Sequence, residues 1–552
     1  MRKIIQFHKL ALFIIFGVCG GFFTYVFSKL LLVKPDGVYI GQPNAWSDWV
    51  VHISITNIFA KKPVSEWFLY HPFFAYGKLT YGFLVHLITA FFMRIGLSLP
   101  GAFFVVSVLL LFCFLVGLYF LYFQLSNSRR ESVLGIFIFF TSSGIGFFRF
   151  WKHLSWNEIL APVQDYSRFL EYDWLAGNIP AAMLIPQRAF FIGVTIGVWV
   201  LAILLWSLQK KTSQRTAKKL LLTAGFLAGI LPIAHMHSFI TIVIVTGCMC
   251  WFNRSKFQLL FRYFVTPAAM LSILLYITFV HGGIEIDNFM TLSLGWTVPK
   301  TGFVLADFFA WIFMWLKLWG AFLPAVLFAF WLFRKEIIKQ KVFSFYCGFL
   351  VVFLLANVLI FQPTRWDNTK LFAWVYLGLS ILVAKLILKL WNSHVTHKIL
   401  TGILVFLLST TGLVELFRIA NFTQNTHLLS TTSEIALATS IAERTDTEAV
   451  FLTSTIHNHP IPLWANRPIF LGYLGWVRNF GFDHTLRDKQ VYLVFSGSSQ
   501  ANQILKENKI SYIFVGPKER GTLVINSQYL QQFPVAFQNE DTVVYDTRAL
   551  WQ

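Results

Sequence analysis

Charge is what this chain has least of. Only 13% of its 552 residues are Asp, Glu, Lys or Arg, while 56% are hydrophobic, and no water-soluble globular chain of ordinary composition is built that way. Acids are the scarcer sign, 25 against 45 basic residues. In a soluble chain the net charge of +20 would suggest nucleic acid. Here the basic residues fall in short loops between apolar runs, the pattern of the positive-inside rule, so nucleic acid is not needed as a partner. Cysteine is scarce too. Cys19, Cys113, Cys248, Cys250 and Cys347 all lie within apolar runs, which excludes a disulfide framework, and Cys248 and Cys250 lack zinc-site spacing. Internal repeats and low-complexity stretches are absent.

What is abundant is apolar runs longer than about 17 residues, the mark of a polytopic α-helical membrane protein. The N-terminus, MRKIIQFHKLALFIIFGVCGGFF, has the charge of a signal peptide but a long apolar run and no convincing cleavage site, so it reads as a retained first helix from Leu10 to Leu32. Arg2, Lys3 and Lys9 before it place the N-terminus in the cytoplasm. The run Leu79–Met93 is short, interrupted by Thr80, His86 and Thr89 and followed by Arg94. Counted as a span it would put Arg129 and Arg130 outside, so it is expected to be a juxtamembrane or re-entrant helix on the outer side.

With that choice the clusters at Arg129–Arg130, Lys210–Lys219, Arg254–Arg262 and Arg334–Lys341 all fall inside. A hairpin of two short helices turns outside at His235-Met236-His237, and Pro232 predicts a break near its outer end. About eleven spans result, an odd number that leaves the C-terminus outside. After Arg418 the composition shifts, and short strands alternate with amphipathic helices: TSEIALATSIAERT and SSQANQILKENK as helices, AVFLTS and ISYIFVG as strands. The expected architecture is a transmembrane domain over 1–418 and an extracytoplasmic α/β domain over 430–552, in a multi-pass protein of the cell membrane.

Ionisable residues concentrate near the outer surface in four places, where they are costly and therefore point to function. The first is NAWSDWVVHISITNIFAKKPVSEWFLYH. It carries a lone acid, Asp48, with His52 on the same helical face, then Glu66, Tyr70 and His71. The second runs from Arg149 to Arg188 and holds Lys152, His153, Glu158, Asp165, Arg168, Glu171 and Asp173. The third is LPIAHMHS, with His235 and His237; it suits hydrogen-bonded helix caps, and also leaves a divalent metal open as part of a larger ligand set. The fourth is TRWDNTK, with Arg365, Asp367 and Lys370.

Arg188 and Arg365 stand at helix starts on the outer face, against the usual charge bias, and a phosphate partner matches a guanidinium fork. An ordinary ion pair, with Asp165, Asp173 or Asp367, is the alternative. These positions fit one reaction: cations stabilise a departing lipid phosphate while a carboxylate deprotonates an acceptor.

On helix one, the acid-bearing outer loop after it, and FLYHPFFAYGKLTYGFLVHLITAFFMRIGLSLPGA, the chain resembles the GT-C superfamily of polyprenyl-phosphate-dependent membrane glycosyltransferases. PQRAFFIG, LPIAHMHSF, TRWDNTKLF, HNHPIPLWANRPIFLGYLGW and YIFVGPKER look like a bacterial branch of it. The resemblance implies a catalytic aspartate in the first outer loop, which maps onto Asp48, and a second acid in the next loop. Glu158, Asp165, Glu171 and Asp173 are offered there, and Asp165 is carried forward. It further implies a polyprenyl-phosphate sugar donor, a lipid, glycan or protein acceptor, and substrate contacts from His52, His71, Arg188, His235, His237, Arg365, Asp367 and Lys370. No cofactor is certain.

In the tail, His457-Asn458-His459 reads as a turn, and Gly472-Tyr473-Leu474-Gly475-Trp476 as a tight aromatic turn that docks on the membrane domain or binds sugar. Competing classes are a flippase for a lipid-linked saccharide, which the missing internal repeat disfavours, and a non-catalytic assembly protein, in which Asp48 would be dispensable.

Overall fold

The computed structural model describes residues 13, 15–80, 82–162, 164–287, 289–298, 300–339 and 342–552. Arg2, Lys3, Lys9 and Lys341, on which part of the expected orientation rests, lie outside the described residues, as does the expected start of the first helix at Leu10. The chain divides into two compact units. One comprises Met1–Lys29, Phe104–Ile277 and Met290–Asn425; the other comprises Leu30–Phe103, Thr278–Phe289 and Thr426–Gln552.

Apolar helices dominate the first unit. Among the described residues six helices are long and apolar enough to cross a membrane: Leu99–Ser126, Arg188–Leu208, Gln214–Ala234, Arg254–Val280, Arg365–Trp391 and Val395–Ala420. Val304–Trp319 and Phe322–Ile338 make a seventh if they are one span broken by a 100° bend, at which Gly320 takes a φ of 54° that side chains rarely adopt. Ile15–Ser28, Leu84–Arg94, Met236–Phe252 and Phe343–Ala356 are apolar but shorter.

Length and composition therefore return fewer spans than the eleven expected, because several apolar runs stop early. The first helix ends at Ser28, and the chain passes into a strand at Leu31. The helix Phe343–Ala356 stops where the Asn357 side chain turns to accept from the indoles of Trp311 and Trp315 at 2.7 and 3.1 Å. Leu84–Arg94 has 11 residues, about 16 Å of helix and half a hydrocarbon core, as its expected non-spanning role requires.

The helix Thr369–Trp391 is the centre of this bundle. The apolar stretch containing it is 89% buried, against 11% for Arg254–Val280 at the periphery. It packs on Arg129–Thr141, Phe343–Ala356, Met236–Phe252 and Val395–Ala420. Where Val395–Ala420 meets Arg129–Thr141 the backbones nearly touch: a Cβ on Gly412 would stand 1.7 Å from the Thr141 carbonyl oxygen. Pro232 does not break its helix. It lies in the last turn of Gln214–Ala234, and the break comes three residues later at His235, which is extended at φ −167° and ψ 116°.

The second unit is built on the helix Pro43–Lys61. Gln42 caps it by accepting from Ala45 N at 2.5 Å, and Pro43 supplies a first-turn position that needs no donor. Leu84–Arg94 and Ile461–Ala465 pack against it. Strands Leu31–Lys34, Gly37–Ile40 and His427–Thr431 form an antiparallel sheet in that order. A four-stranded mixed sheet follows in the order Phe451–Leu452, Tyr512–Val515, Val543–Asp546, Val535–Gln538. The segment 72–75 is hydrogen-bonded along 469–472, and Arg487 fastens both by donating to Ala75 O and Phe470 O, each at 2.8 Å, with its guanidinium 3.6 Å from the Phe74 ring centroid.

Candidate functional site

In the second unit, Asp48 lies in the second turn of Pro43–Lys61 and is half-buried. His52, one turn on and on the same face, is 2% exposed, and its Nδ1 meets Nε2 of His86 at 2.8 Å with the rings stacked. His86 comes from Leu84–Arg94, so that short helix holds the Asp48–His52 face in place. In the sequence His86 stands only as an interruption in an apolar run. A fully buried histidine needs a partner, and pairing the two histidines of these neighbouring helices would have found it.

His71 is fully buried. Its Nδ1 accepts from Phe73 N at 3.3 Å, and its ring lies 4.5 and 5.4 Å from those of Phe480 and Phe482. Burial drives its pKa down to about 3, so it is neutral at physiological pH and serves the packing of this loop.

In the first unit, Asp165 sits in a network. Its Oδ1 accepts from Ser167 N at 2.9 Å and Ser167 Oγ at 2.6 Å, while Oδ2 lies 2.8 Å from Arg168 Nε and 3.6 Å from the Arg418 guanidinium. Arg418 in turn clasps Glu415 with two hydrogen bonds of 2.7 and 2.6 Å, both residues being buried near the end of Val395–Ala420. Both carboxylate oxygens of Asp165 are thus engaged in pinning the loop. The Glu415–Arg418 pair went unread in the sequence, although opposite charges three residues apart inside an apolar helix are a legible signal.

Arg188 opens its helix, 3% exposed, and donates from Nη1 to Ser107 Oγ at 3.0 Å. His235 caps the next helix pair: its Nδ1 accepts from Ser238 N at 3.2 Å and meets Ser238 Oγ at 2.9 Å, and the same hydroxyl accepts from Trp374 Nε1 at 3.1 Å. His237 is buried beside it, ring centroids 5.5 Å apart. Among the described residues no group of three or more His, Cys, Asp or Glu is placed to hold a metal ion. Asp367 forms a buried ion pair with Lys370 one turn on, whereas Arg365 two residues earlier is exposed and free of that pair.

Close by in the same bundle a cavity of about 10 Å³ lies among Trp174, Trp319, Thr369, Phe372 and Tyr376, room for roughly one water and too small for a phosphate or sugar.

No family model matches the chain, and no curated protein matches it in sequence. Solved structures do match its shape. The oligosaccharyltransferase of Archaeoglobus fulgidus, tethered with an acceptor peptide, aligns with a TM-score of 0.54 at 12% identity, over 93% of this chain and 69% of its own. The same enzyme in complex with an inhibitory peptide and a dolichol-phosphate aligns at 0.51 and 11% identity, over 93% and 70%. ArnT from Cupriavidus metallidurans, bound to undecaprenyl phosphate, aligns at 0.50 and 10% identity, over 100% and 99%. Along nearly its whole length, then, the chain carries the fold of these solved structures.

Proposed function

We propose that this protein is a membrane glycosyltransferase that moves a sugar from a polyprenyl-phosphate donor to a lipid, glycan or protein acceptor on the outer face of the membrane. The observation that carries the reading is Asp48: a half-exposed carboxylate at the start of a well-capped helix, in a chain with the fold of two lipid-linked sugar transferases. Asp48 accepts the proton of the acceptor hydroxyl as its oxygen attacks the anomeric carbon. The bond from that carbon to the phosphate oxygen breaks, and the electron pair leaves with the polyprenyl phosphate, inverting the anomeric centre.

Arg365, Lys370 and Arg188 supply positive charge for the donor phosphate, with Asp367 orienting Lys370. His52, held by His86, keeps the acid's helix face in order. His235 and His237 shape the helix turn, and Asp165 fixes the second outer loop through Arg168 and Arg418. The basic clusters argue for a cytoplasmic N-terminus, with these groups and the region 430–552 outside the cell.

The test is a transfer assay on purified protein with a panel of lipid-phosphate sugars, wild type beside Asp48→Asn. Asparagine keeps shape and polarity but takes no proton, so turnover should fall about 10²-fold or more with donor binding intact. Full activity in Asp48→Asn, with an acid of the 158–173 loop essential instead, moves the base to that loop.

A further inference from the structure

Within the second unit four rings gather around the tail motif that the transfer chemistry leaves unused. His457 and Tyr473 stack with centroids 3.5 Å apart; Trp476 stands 5.0 Å from His457 and 5.3 Å from Tyr473, edge to face; and Trp46 reaches His457 at 5.8 Å. The glycines of GYLGW make the cluster possible. A Cβ at Gly475 would stand 2.7 Å from the Tyr473 ring, and one at Gly472 would stand 2.8 Å from Phe73, which itself packs on Trp476.

A cluster of this kind in a core would be sealed and its polar atoms paired. This one is neither. All four rings are partly exposed, and among the described residues the Tyr473 hydroxyl, the His457 ring nitrogens and the Trp476 indole N–H have no hydrogen-bond partner. Trp46 alone is committed, donating to Leu428 O at 3.0 Å. Burial lowers the His457 pKa, which leaves a neutral imidazole that both donates and accepts. Ring faces beside free donors and acceptors match a sugar, whose C–H face is apolar and whose rim carries hydroxyls. A lipid tail would leave the polar atoms unpaired, and an acidic ligand would find no cation among the four rings.

The helix geometry says which sugar. Trp46 and Asp48 are two residues apart on one helix and so project from opposite flanks, about 10 Å apart at their ends. A ring stacked at the cluster is therefore not the one whose hydroxyl Asp48 would deprotonate. We propose that His457, Tyr473, Trp476 and Trp46 form a saccharide platform holding a sugar of the acceptor that neighbours the reacting one. This rests on the transferase reading, and assigns the acceptor to the class of extended glycans.

The test is saturation-transfer NMR on the full chain in detergent micelles, with glucose, galactose, mannose and N-acetylglucosamine and a linear trisaccharide of each as probes. At least one trisaccharide should bind, and its monosaccharide should bind about tenfold more weakly. Tyr473→Ala and His457→Ala should each lose the signal, Tyr473→Phe should keep it, and Asp48→Asn should bind as wild type does. No signal from any probe, or an equal signal in both alanine variants, overturns the platform. Sugar transfer by wild type without such binding removes the platform and leaves the transferase. Binding that Tyr473→Ala abolishes, with no transfer from any lipid-phosphate sugar, keeps the platform and removes the transferase.

Discussion

Arg365 and Asp367 stand two residues apart, and the ion pair that sequence offered between them is not the one formed. Asp367 is 3% exposed and takes Lys370, while Arg365 faces outward. An exposed guanidinium on a lipid phosphate is worth less than a desolvated one. Arg365→Ala should therefore raise the apparent donor requirement about tenfold with a smaller loss in turnover, and Arg365→Lys should recover part of it. Steady-state kinetics against donor concentration checks this, and unchanged values would make Arg365 a surface charge. A second residue of this scale is Glu519, which nothing in the motif YIFVGPKER marks as buried. It is fully buried, with Oε1 accepting from Ser454 N and Oγ at 3.0 and 2.5 Å and facing His459 Nε2 at 3.3 Å, while Oε2 accepts from Gly516 N at 2.9 Å. Burial alone would raise its pKa, but His459 and Ser454 outweigh that and hold it down to about 2 from an ordinary 4.5. A depressed carboxylate stabilises fully above its unfolded pKa, and the contribution drains away as pH falls from about 4.5 toward 2. Glu519→Gln should cost about 3 kcal/mol at pH 7 and visibly less at pH 3, read as the gap between melting curves.

Elements were legible where a period or a cap was strong. TSEIALATSIAERT is helical over Thr432–Arg444, closed by a capping box between Thr431 and Glu434, and ISYIFVG contains the strand Tyr512–Val515. The turn at His235-Met236-His237 was legible too, because three polar-flanked residues interrupt two apolar runs. Where a run ends was not, since Asn357 stops its helix by a contact with Trp311 and Trp315 some forty residues earlier in the chain. The loop after Arg149 was opaque for the same reason: its order comes from Arg418 and Glu415, far along the sequence. That clasp makes a sharp prediction. Arg418→Met leaves Glu415 buried without its partner and should destabilise the protein by about 3 to 5 kcal/mol, while Glu415→Met with Arg418→Met should recover most of it. Thermal melts in micelles, with proteolysis of the 149–187 loop alongside, read both. Equal losses in the single and double variants would mean that the pair is not acting as a unit.

At the scale of the whole molecule, hydropathy and basic clusters made the membrane class readable, and family motifs made the fold readable, because both are properties of long stretches. The tie of residues 30–103 to the C-terminal region was not readable, since it rests on a strand pairing, Gly37–Ile40 with His427–Thr431, across almost four hundred residues. The distribution of basic clusters predicts which side faces outward, and that prediction yields a direct experiment. The cluster from Lys210 to Lys219 should lie in the cytoplasm and the region after 430 outside. Ser213 and Ser499 are both exposed, so a cysteine at either is reachable from its own side. With the five native cysteines replaced, Ser499→Cys should react with a membrane-impermeant maleimide in intact cells, and Ser213→Cys should react only after the membrane is opened. Protection of Ser499→Cys in intact cells would reverse the orientation of the whole chain, because the pairing of Gly37–Ile40 with His427–Thr431 keeps Asp48 on the side of the C-terminal region. Asp48 would then face a cytoplasmic supply of nucleotide sugars, and the donor would belong to that class instead, because a lipid-phosphate sugar is needed only where nucleotide sugars are absent.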